Sequence, residues 1–348
     1  MTDKKNIIYL VETEFQLMVS VNLALSIFKT NEYENLIYCV KSEKRLNEFL
    51  NFSALKQIDF FLIESKNYVD SIKLISKKKC FTFFFFQENS ILNKYLAYRL
   101  KVNGAKIALG PDGTKPYGIF KKSHESLSVI KDTIADYKFL FREKLFLPAI
   151  IPSSYYKYGK TKIIDQVWLY NIEMFDAETN KTRASLKKIP SFSQEVWNNL
   201  INLFQFTTDK LSNSDEILFY LNQPLWSQEM IETEINFLKH LVTVFPKNDL
   251  IIKLHPHTAE ATINSYKNIK NVKLVISKIP AELFIATLSN SIVFSGWSAG
   301  LSIENPSCNF YYNLNIFRKL NDKILNQIHI DSFPHIKLID NPSQMKFK

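Results

Sequence analysis

Two separate stretches of this chain repeat one rhythm, and that rhythm restricts the fold more than any other feature. In the first, apolar runs of strand length at 6–11, 36–40, 58–63, 81–86 and 106–109 alternate with helical patterns, chiefly at 15–28 and 89–102, with a short helix near 46–50. In the second, strand-length runs at 216–221, 250–254, 272–276, 291–294 and 309–313 alternate with helical segments at 228–245 and 281–289 and a helix start at 298–304. The runs are apolar throughout rather than alternating, so each strand is expected to be buried on both faces. That is the mark of a parallel sheet covered by helices. Two such units in series predict an α/β protein of two Rossmann-like domains facing a central cleft. The length of 348 residues agrees, at about 150 residues per domain.

The middle of the chain, 117–206, breaks the rhythm. It holds a basic amphipathic stretch at 126–147, an aromatic turn with proline at 147–158, one or two strands within 162–175 and a polar loop at 176–192. A helix follows at 194–206, with Ser193 as its N-cap. The expected division is therefore an N-terminal domain 1–210 carrying a basic insertion at about 117–206, and a C-terminal domain 211–348.

Composition excludes several classes. With only 7 glycines the chain has no G-x-G-x-x-G and no G-x-x-x-x-G-K-[ST], so a glycine-rich phosphate loop is ruled out. Its 46% apolar and 22% charged residues are ordinary for a globular chain and argue against disorder. Three cysteines without a C-x-x-C fit a reducing compartment. No secretory signal and no 18-residue apolar span is present, so the expected location is cytoplasmic or peripheral at the inner membrane. The net charge is +10, and residues 113–163 hold ten Lys/Arg against four Asp/Glu. Interleaved with Phe139, Phe141, Phe146, Tyr155, Tyr156 and Tyr158, this segment suits an anionic membrane surface or an anionic acceptor. Solvated lysines over core aromatics are the plainer alternative. Nucleic acid is not expected as a partner, since no motif for it accompanies the charge.

In open α/β sheets ligands bind at the carboxyl ends of the strands, and five polar clusters fall there. Thr13 follows the first strand and can cap the next helix, with Gln16 projecting from its first turn. Asp112-Gly113 closes the strand at 106–109; a carboxylate there suits a general base, and Asp before Gly is also plain turn chemistry. Lys253-Leu254-His255-Pro256 places a histidine at a strand end with its path fixed by proline, as a general acid or an ordinary surface residue. A metal is not expected: His-x-His has no cysteine near it, and the chain contains no Asp-x-Asp. Glu282 lies in a first helical turn, where the helix dipole favours a carboxylate. Ser295 and Ser298, before Ala299, stand between a strand and a helix start, an arrangement suited to phosphate or to simple capping.

The order of these clusters resembles the bacterial sialyltransferases, in particular the lipooligosaccharide sialyltransferase family and related polysialyltransferases. Those enzymes carry a D/E-D/E-G motif, an HP motif and a serine motif on a GT-B fold. The matching residues are Pro111-Asp112-Gly113, His255-Pro256 and 295–298, and Thr13 to Gln16 resembles the family's T-x-x-Q turn. Two departures stand out. Pro111 replaces the first acid, and the loop 222–226 (NQPLW) lacks the acid found there in some members.

The resemblance implies an inverting glycosyltransferase of GT-B architecture that moves sialic acid, or a related nonulosonic acid, from its CMP-activated form to a hydroxyl of a bacterial surface glycan. It implies Asp112 as general base and His255 as general acid. Ser295, Ser298 and the Ala299 N–H would hold the phosphate and Glu282 the ribose. Lys253, Leu254 and Pro256 would border the nucleotide, and Thr13, Gln16 and Gly113 would lie toward the donor or acceptor sugar. The expected partners are a nucleotide-sugar donor and an oligosaccharide or glycolipid acceptor, with no cofactor required. Two alternatives stay open: a GT-B transferase using CMP-Kdo or a nucleoside-diphosphate sugar, and a non-catalytic protein that binds glycan or a membrane surface.

Overall fold

The computed structural model of the chain describes residues 4–41, 46, 50–113, 115–117, 126–147, 158–207, 211, 216–320 and 333–348. The helix expected at 46–50 lies largely outside them, as do Lys121, Lys122, Tyr155 and Tyr156 of the basic segment. The chain forms two compact units, Met1–Gln205 and Phe206–Lys348.

The first unit is built on a parallel sheet of β1 (Lys5–Val11), β2 (Tyr33–Lys41), β3 (Ile58–Glu64), β4 (Thr82–Phe85), β5 (Lys106–Leu109), β6 (Gln166–Leu169) and β7 (Ser185–Lys188). Their order is β3-β2-β1-β4-β5-β6-β7. The chain moves outward from β1 in one direction and then returns past it in the other, so the topological switch lies between β1 and β4. Helices α1 (Glu14–Ser26), α2 (Tyr68–Ile75) and α3 (Ile91–Val102) connect the early strands. Burial follows the apolar runs: Ile8, Leu10, Phe83, Phe85, Ile107 and Leu109 form one buried core with Leu96 and Leu100 of α3.

The middle segment is not an insertion outside this sheet. After α4 (Ser126–Arg142), it supplies β6 and β7, then the short helix α5 (Ala177–Asn180) between them and α6 (Gln194–Leu203). The loop expected at 176–192 thus contains an edge strand, β7, paired parallel to β6 from Ser185 opposite Gln166 to Lys188 opposite Leu169. Its sequence, SLKK, is largely exposed and has no apolar run to announce it. Ser193 does cap α6, its side chain accepting from the Val196 N–H at 3.2 Å.

The second unit repeats the plan with β8 (Ile217–Leu221), β9 (Asp249–Lys253), β10 (Val272–Val275), β11 (Ser291–Ser295), β12 (Cys308–Tyr312) and β13 (Ile336–Leu338), ordered β10-β9-β8-β11-β12-β13. Its helices are α7 (Gln228–Val244), α8 (Glu260–Lys267), α9 (Ala281–Thr287) and α10 (Leu314–Arg318). The switch here lies between β8 and β11. The helix expected from 298 is only a 3₁₀ turn, Ala299–Ser302. Among the described residues no helix is long and apolar enough to cross a membrane.

Candidate functional site

In the first unit the polar residues gather at the carboxyl ends of β1, β4 and β5. Thr13 caps α1, its hydroxyl accepting from the Gln16 N–H at 3.2 Å. Gln16 does not face outward as a sugar ligand. It is fully buried, and both ends of its amide are occupied. The Glu12 N–H donates to Gln16 Oε1 at 2.8 Å, and this fixes which end is which. Gln16 Nε2 must therefore point the other way, and it donates to Asp112 Oδ1 at 3.1 Å. The base candidate is thus held from beneath by an amide whose orientation is set by the backbone.

The turn around Asp112 is equally constrained. A side chain on Gly110 would place its Cβ 2.4 Å from the Phe86 ring, so only glycine lets β5 end there. Gly113 has φ +61°, a left-handed conformation that glycine adopts freely. The Tyr158 hydroxyl donates to the Gly110 carbonyl. Burial raises the Tyr158 phenol well above its ordinary range, and the charges of Asp112 and Glu88 add to that. Glu88 is buried beside them and accepts from the Gly159 N–H at 2.6 Å and the Thr161 N–H at 2.8 Å. At the switch itself, Glu12 Oε1 accepts from Asn93 Nδ2 at 2.9 Å, and Asn93 Oδ1 accepts from the Tyr68 hydroxyl at 2.8 Å.

In the second unit the organising residue is Asn222, directly after β8 and buried. Its Oδ1 accepts from the His255 backbone N–H at 3.3 Å and from the Thr258 hydroxyl. Its Nδ2 donates to the Tyr266 hydroxyl oxygen at 2.6 Å. Tyr266 and Tyr220 in turn donate to the two carboxylate oxygens of Glu234, which is completely buried in α7. Burial pushes the Glu234 carboxyl up to about 7, against the lowering effect of those hydrogen bonds. The His255 ring is held separately. Its Nδ1 accepts from the His257 N–H at 3.1 Å, which assigns the proton of the neutral ring to Nε2. Pro256 is exposed beside it.

The serine cluster divides. Ser295 is fully buried and its hydroxyl is used within the protein. It donates to the Leu221 carbonyl at 2.7 Å and accepts from the Ser298 N–H at 3.2 Å, tying β11 to β8 across the switch. It has no free atom for a phosphate, contrary to the expectation from sequence. Ser298 and Ala299 are half-buried, and Ser298 Oγ accepts from the Gly300 N–H at 3.2 Å. Because a 3₁₀ turn follows rather than a helix, no helix dipole of any length supports an anion at this point.

Lys253 and Leu254 are buried. The Lys253 ammonium donates to the Ser277 carbonyl and lies 5.8 Å from the Phe284 ring centroid. Lysine therefore joins the end of β9 to the entry of α9, where Glu282 is also buried. Two residues at this edge escaped the sequence reading. Trp226 is nearly half exposed, with its ring centroid 5.9 Å from that of Trp297. Asn313, after β12, is fully buried, and among the described residues neither side-chain atom has a hydrogen-bond partner. Among the described residues no three His, Cys, Asp or Glu side chains come together as a metal site.

No protein-family model matches the sequence, and no curated protein matches it. Solved structures do. A sialyltransferase from Photobacterium damsela superposes with a TM-score of 0.56 at 12% identity, covering 97% of this chain and 82% of that one. The GT-B domain of a sialyltransferase from Photobacterium damselae gives 0.53 at 12% identity, over 96% of this chain and 99% of that one. A putative UDP-N-acetylglucosamine 2-epimerase from Listeria monocytogenes gives 0.54 at 10% identity, over 96% and 93%. With two parallel sheets of matching order and these neighbours, the chain has the GT-B fold.

Proposed function

We propose that the protein is an inverting glycosyltransferase that moves a nonulosonic acid, sialic acid first, from its CMP-activated form to a hydroxyl of a surface glycan. Asp112 takes the proton from the acceptor hydroxyl. His255 serves the phosphate of the departing CMP through Nε2, and the half-buried Ser298 lies at the same sheet edge. Glu282 remains the candidate for the ribose, and Trp226 offers an aromatic face to a base or sugar ring. The observation that supports this reading most is the way Asp112 is held. A carboxylate at a strand end, fixed by a buried amide whose own direction is set by the Glu12 N–H, is what a positioned base requires. The likeness of fold to a sialyltransferase adds support.

The test is release of CMP from CMP-sialic acid against a panel of oligosaccharide and glycolipid acceptors, run beside UDP- and GDP-sugars. CMP release that depends on an acceptor is the expected result. The fold is shared equally with an enzyme of UDP-N-acetylglucosamine, so a nucleoside-diphosphate sugar is the second reading. Release of UDP or GDP instead of CMP replaces the first reading with it. Glycan binding without turnover of any nucleotide sugar rejects both.

A further inference from the structure

Helix α4 is amphipathic twice over. One side faces the first unit: Leu140 is buried in the core, and Tyr137 and Phe139 pack against it. Asp136 is turned inward, where the charge of the buried Lys94 acts on it against the cost of burial. The other side carries a second apolar stripe that is exposed among the described residues. Ile130 is 55% exposed, Ile134 51% and Phe141 87%. These positions fall within about 40° of one another at ~100° per residue, so they form one line along the helix. Lys131, Lys138 and Arg142 form a second line on the exposed surface beside it, and no acid lies between the two lines. Arg142 donates to Glu143 at 3.0 Å from the far side of the basic line. Phe146, just past the helix, is also strongly exposed.

An apolar stripe for another protein would normally be bordered by mixed polar residues. A stripe bordered on one side by cations alone is the pattern of a helix lying in an anionic bilayer surface, with its apolar edge among the acyl chains and its cations at the headgroups. We propose that the exposed edge of α4 docks on an anionic lipid bilayer, with Ile130, Ile134 and Phe141 inserted and Lys131, Lys138 and Arg142 at the phosphate level. The inference does not depend on the reaction proposed above, because its test measures binding and not turnover.

The experiment is co-sedimentation of the full chain with vesicles of phosphatidylcholine alone and with about a third phosphatidylglycerol. Binding is expected only to the anionic vesicles, falling as salt rises. Replacing Lys131, Lys138 and Arg142 together by Gln should weaken it roughly 100-fold, at about fivefold for each basic residue near such a surface. Replacing Ile130, Ile134 and Phe141 by Ser should remove the part of the binding that survives high salt. All six side chains are exposed, so circular dichroism and thermal unfolding should match the unaltered chain. Unchanged vesicle binding in both variants overturns the proposal. So does a concentration-dependent dimer in sedimentation velocity that the serine variant abolishes, since the stripe would then belong to a second copy.

Discussion

The two units solve the same problem with an amide, and they use it differently. In each, a buried amide just after the first strand of the sheet holds the residue proposed to act in chemistry. Gln16 reaches the side chain of its partner, Asp112, directly. Asn222 reaches only the backbone of His255, together with the Thr258 hydroxyl, and leaves the imidazole to His257. The first arrangement fixes where a carboxylate points. The second fixes the path of a loop and lets the ring be tuned on its own. The anchors behind them differ as well. Gln16 rests on a backbone N–H, whereas Asn222 rests on Tyr266 and Glu234, a buried group able to titrate.

The sharpest test of that difference replaces the held residues. Asp112→Ala and His255→Ala should each lower kcat by roughly 10²–10⁴-fold. His255→Gln then separates two roles. The hydrogen bond into Nδ1 belongs to the neutral ring with its proton on Nε2, a form that can donate a hydrogen bond to phosphate. Outright proton transfer from Nε2 needs the doubly protonated ring and forfeits the bond from His257. A glutamine N–H can imitate the first role and not the second, so His255→Gln should recover about tenfold or more over His255→Ala. Equal activity of the two variants would assign full proton transfer to His255. For Asp112, Gln16→Glu keeps an acceptor for the Glu12 N–H but sets a second carboxylate against the base. It should therefore cost activity with little loss of folding cooperativity.

The holding residues come next. Asn222→Ala takes away the side-chain acceptor of the His255 N–H, while the Thr258 hydroxyl keeps the His255 carbonyl at 2.8 Å and the Tyr266 hydroxyl keeps Glu234. It should destabilise the second unit by about 1–3 kcal/mol, the cost of one polar group left without its acceptor. Thermal unfolding measures it. If Asn222→Ala instead unfolds like the unaltered chain and lowers only kcat, the loop is held by other contacts.

Much of this architecture was legible beforehand, and the exceptions share a cause. The strand at 106–109 is read to the residue, because a continuous apolar run ending in Gly-Pro has a single interpretation. Helices α2 and α8 went unread because each buries only two residues, Ile72 and Ile75 in one and Thr262 and Tyr266 in the other, too few to set a period. The site divides along the same line. Strand-end positions of Asp112, His255 and Ser298 follow from local pattern. The pairing of Gln16 with Asp112, 96 residues apart, does not. Nor does the burial of Ser295, whose hydroxyl is claimed by a carbonyl 74 residues earlier in the chain. Sequence locates polar residues at a sheet edge, but only packing decides which of them remain available to a ligand.

The titratable anchor of the second unit gives a pH signature that Gln16 and its backbone anchor lack. Glu234 rises from an ordinary 4.5 to about 7 in the folded chain. Between those values the folded state binds the proton that the unfolded state has released, so stability falls as pH rises through this window and levels off above about 7. The loss attributable to this group is about 3 kcal/mol. Glu234→Gln removes the titration. In urea melts its stability relative to the unaltered chain should improve steadily from pH 5 to pH 7.5. A constant difference across that range would show that Glu234 stays ionised in the fold.

The smallest expected effect concerns Asn313, the amide at the end of β12. Unlike Gln16 and Asn222 it is fully buried with both Nδ2 and Oδ1 unpaired among the described residues. Its backbone N–H is satisfied by the Ser295 carbonyl at 3.0 Å, so the side chain alone carries the cost. An unpaired buried amide is unfavourable, and an apolar side chain of similar size relieves that cost. Asn313→Leu should therefore be neutral or stabilising by about 1 kcal/mol in thermal unfolding without ligand. The same variant sharpens the comparison. If Asn313 is an amide held in reserve for the donor, Asn313→Leu should raise the KM for the nucleotide sugar while the fold gains stability. If it is only a packing defect, KM should stay constant. A loss of more than about 2 kcal/mol would show that the amide is satisfied by buried water, as buried polar groups commonly are, and that all three amides are structural hydrogen-bonding residues.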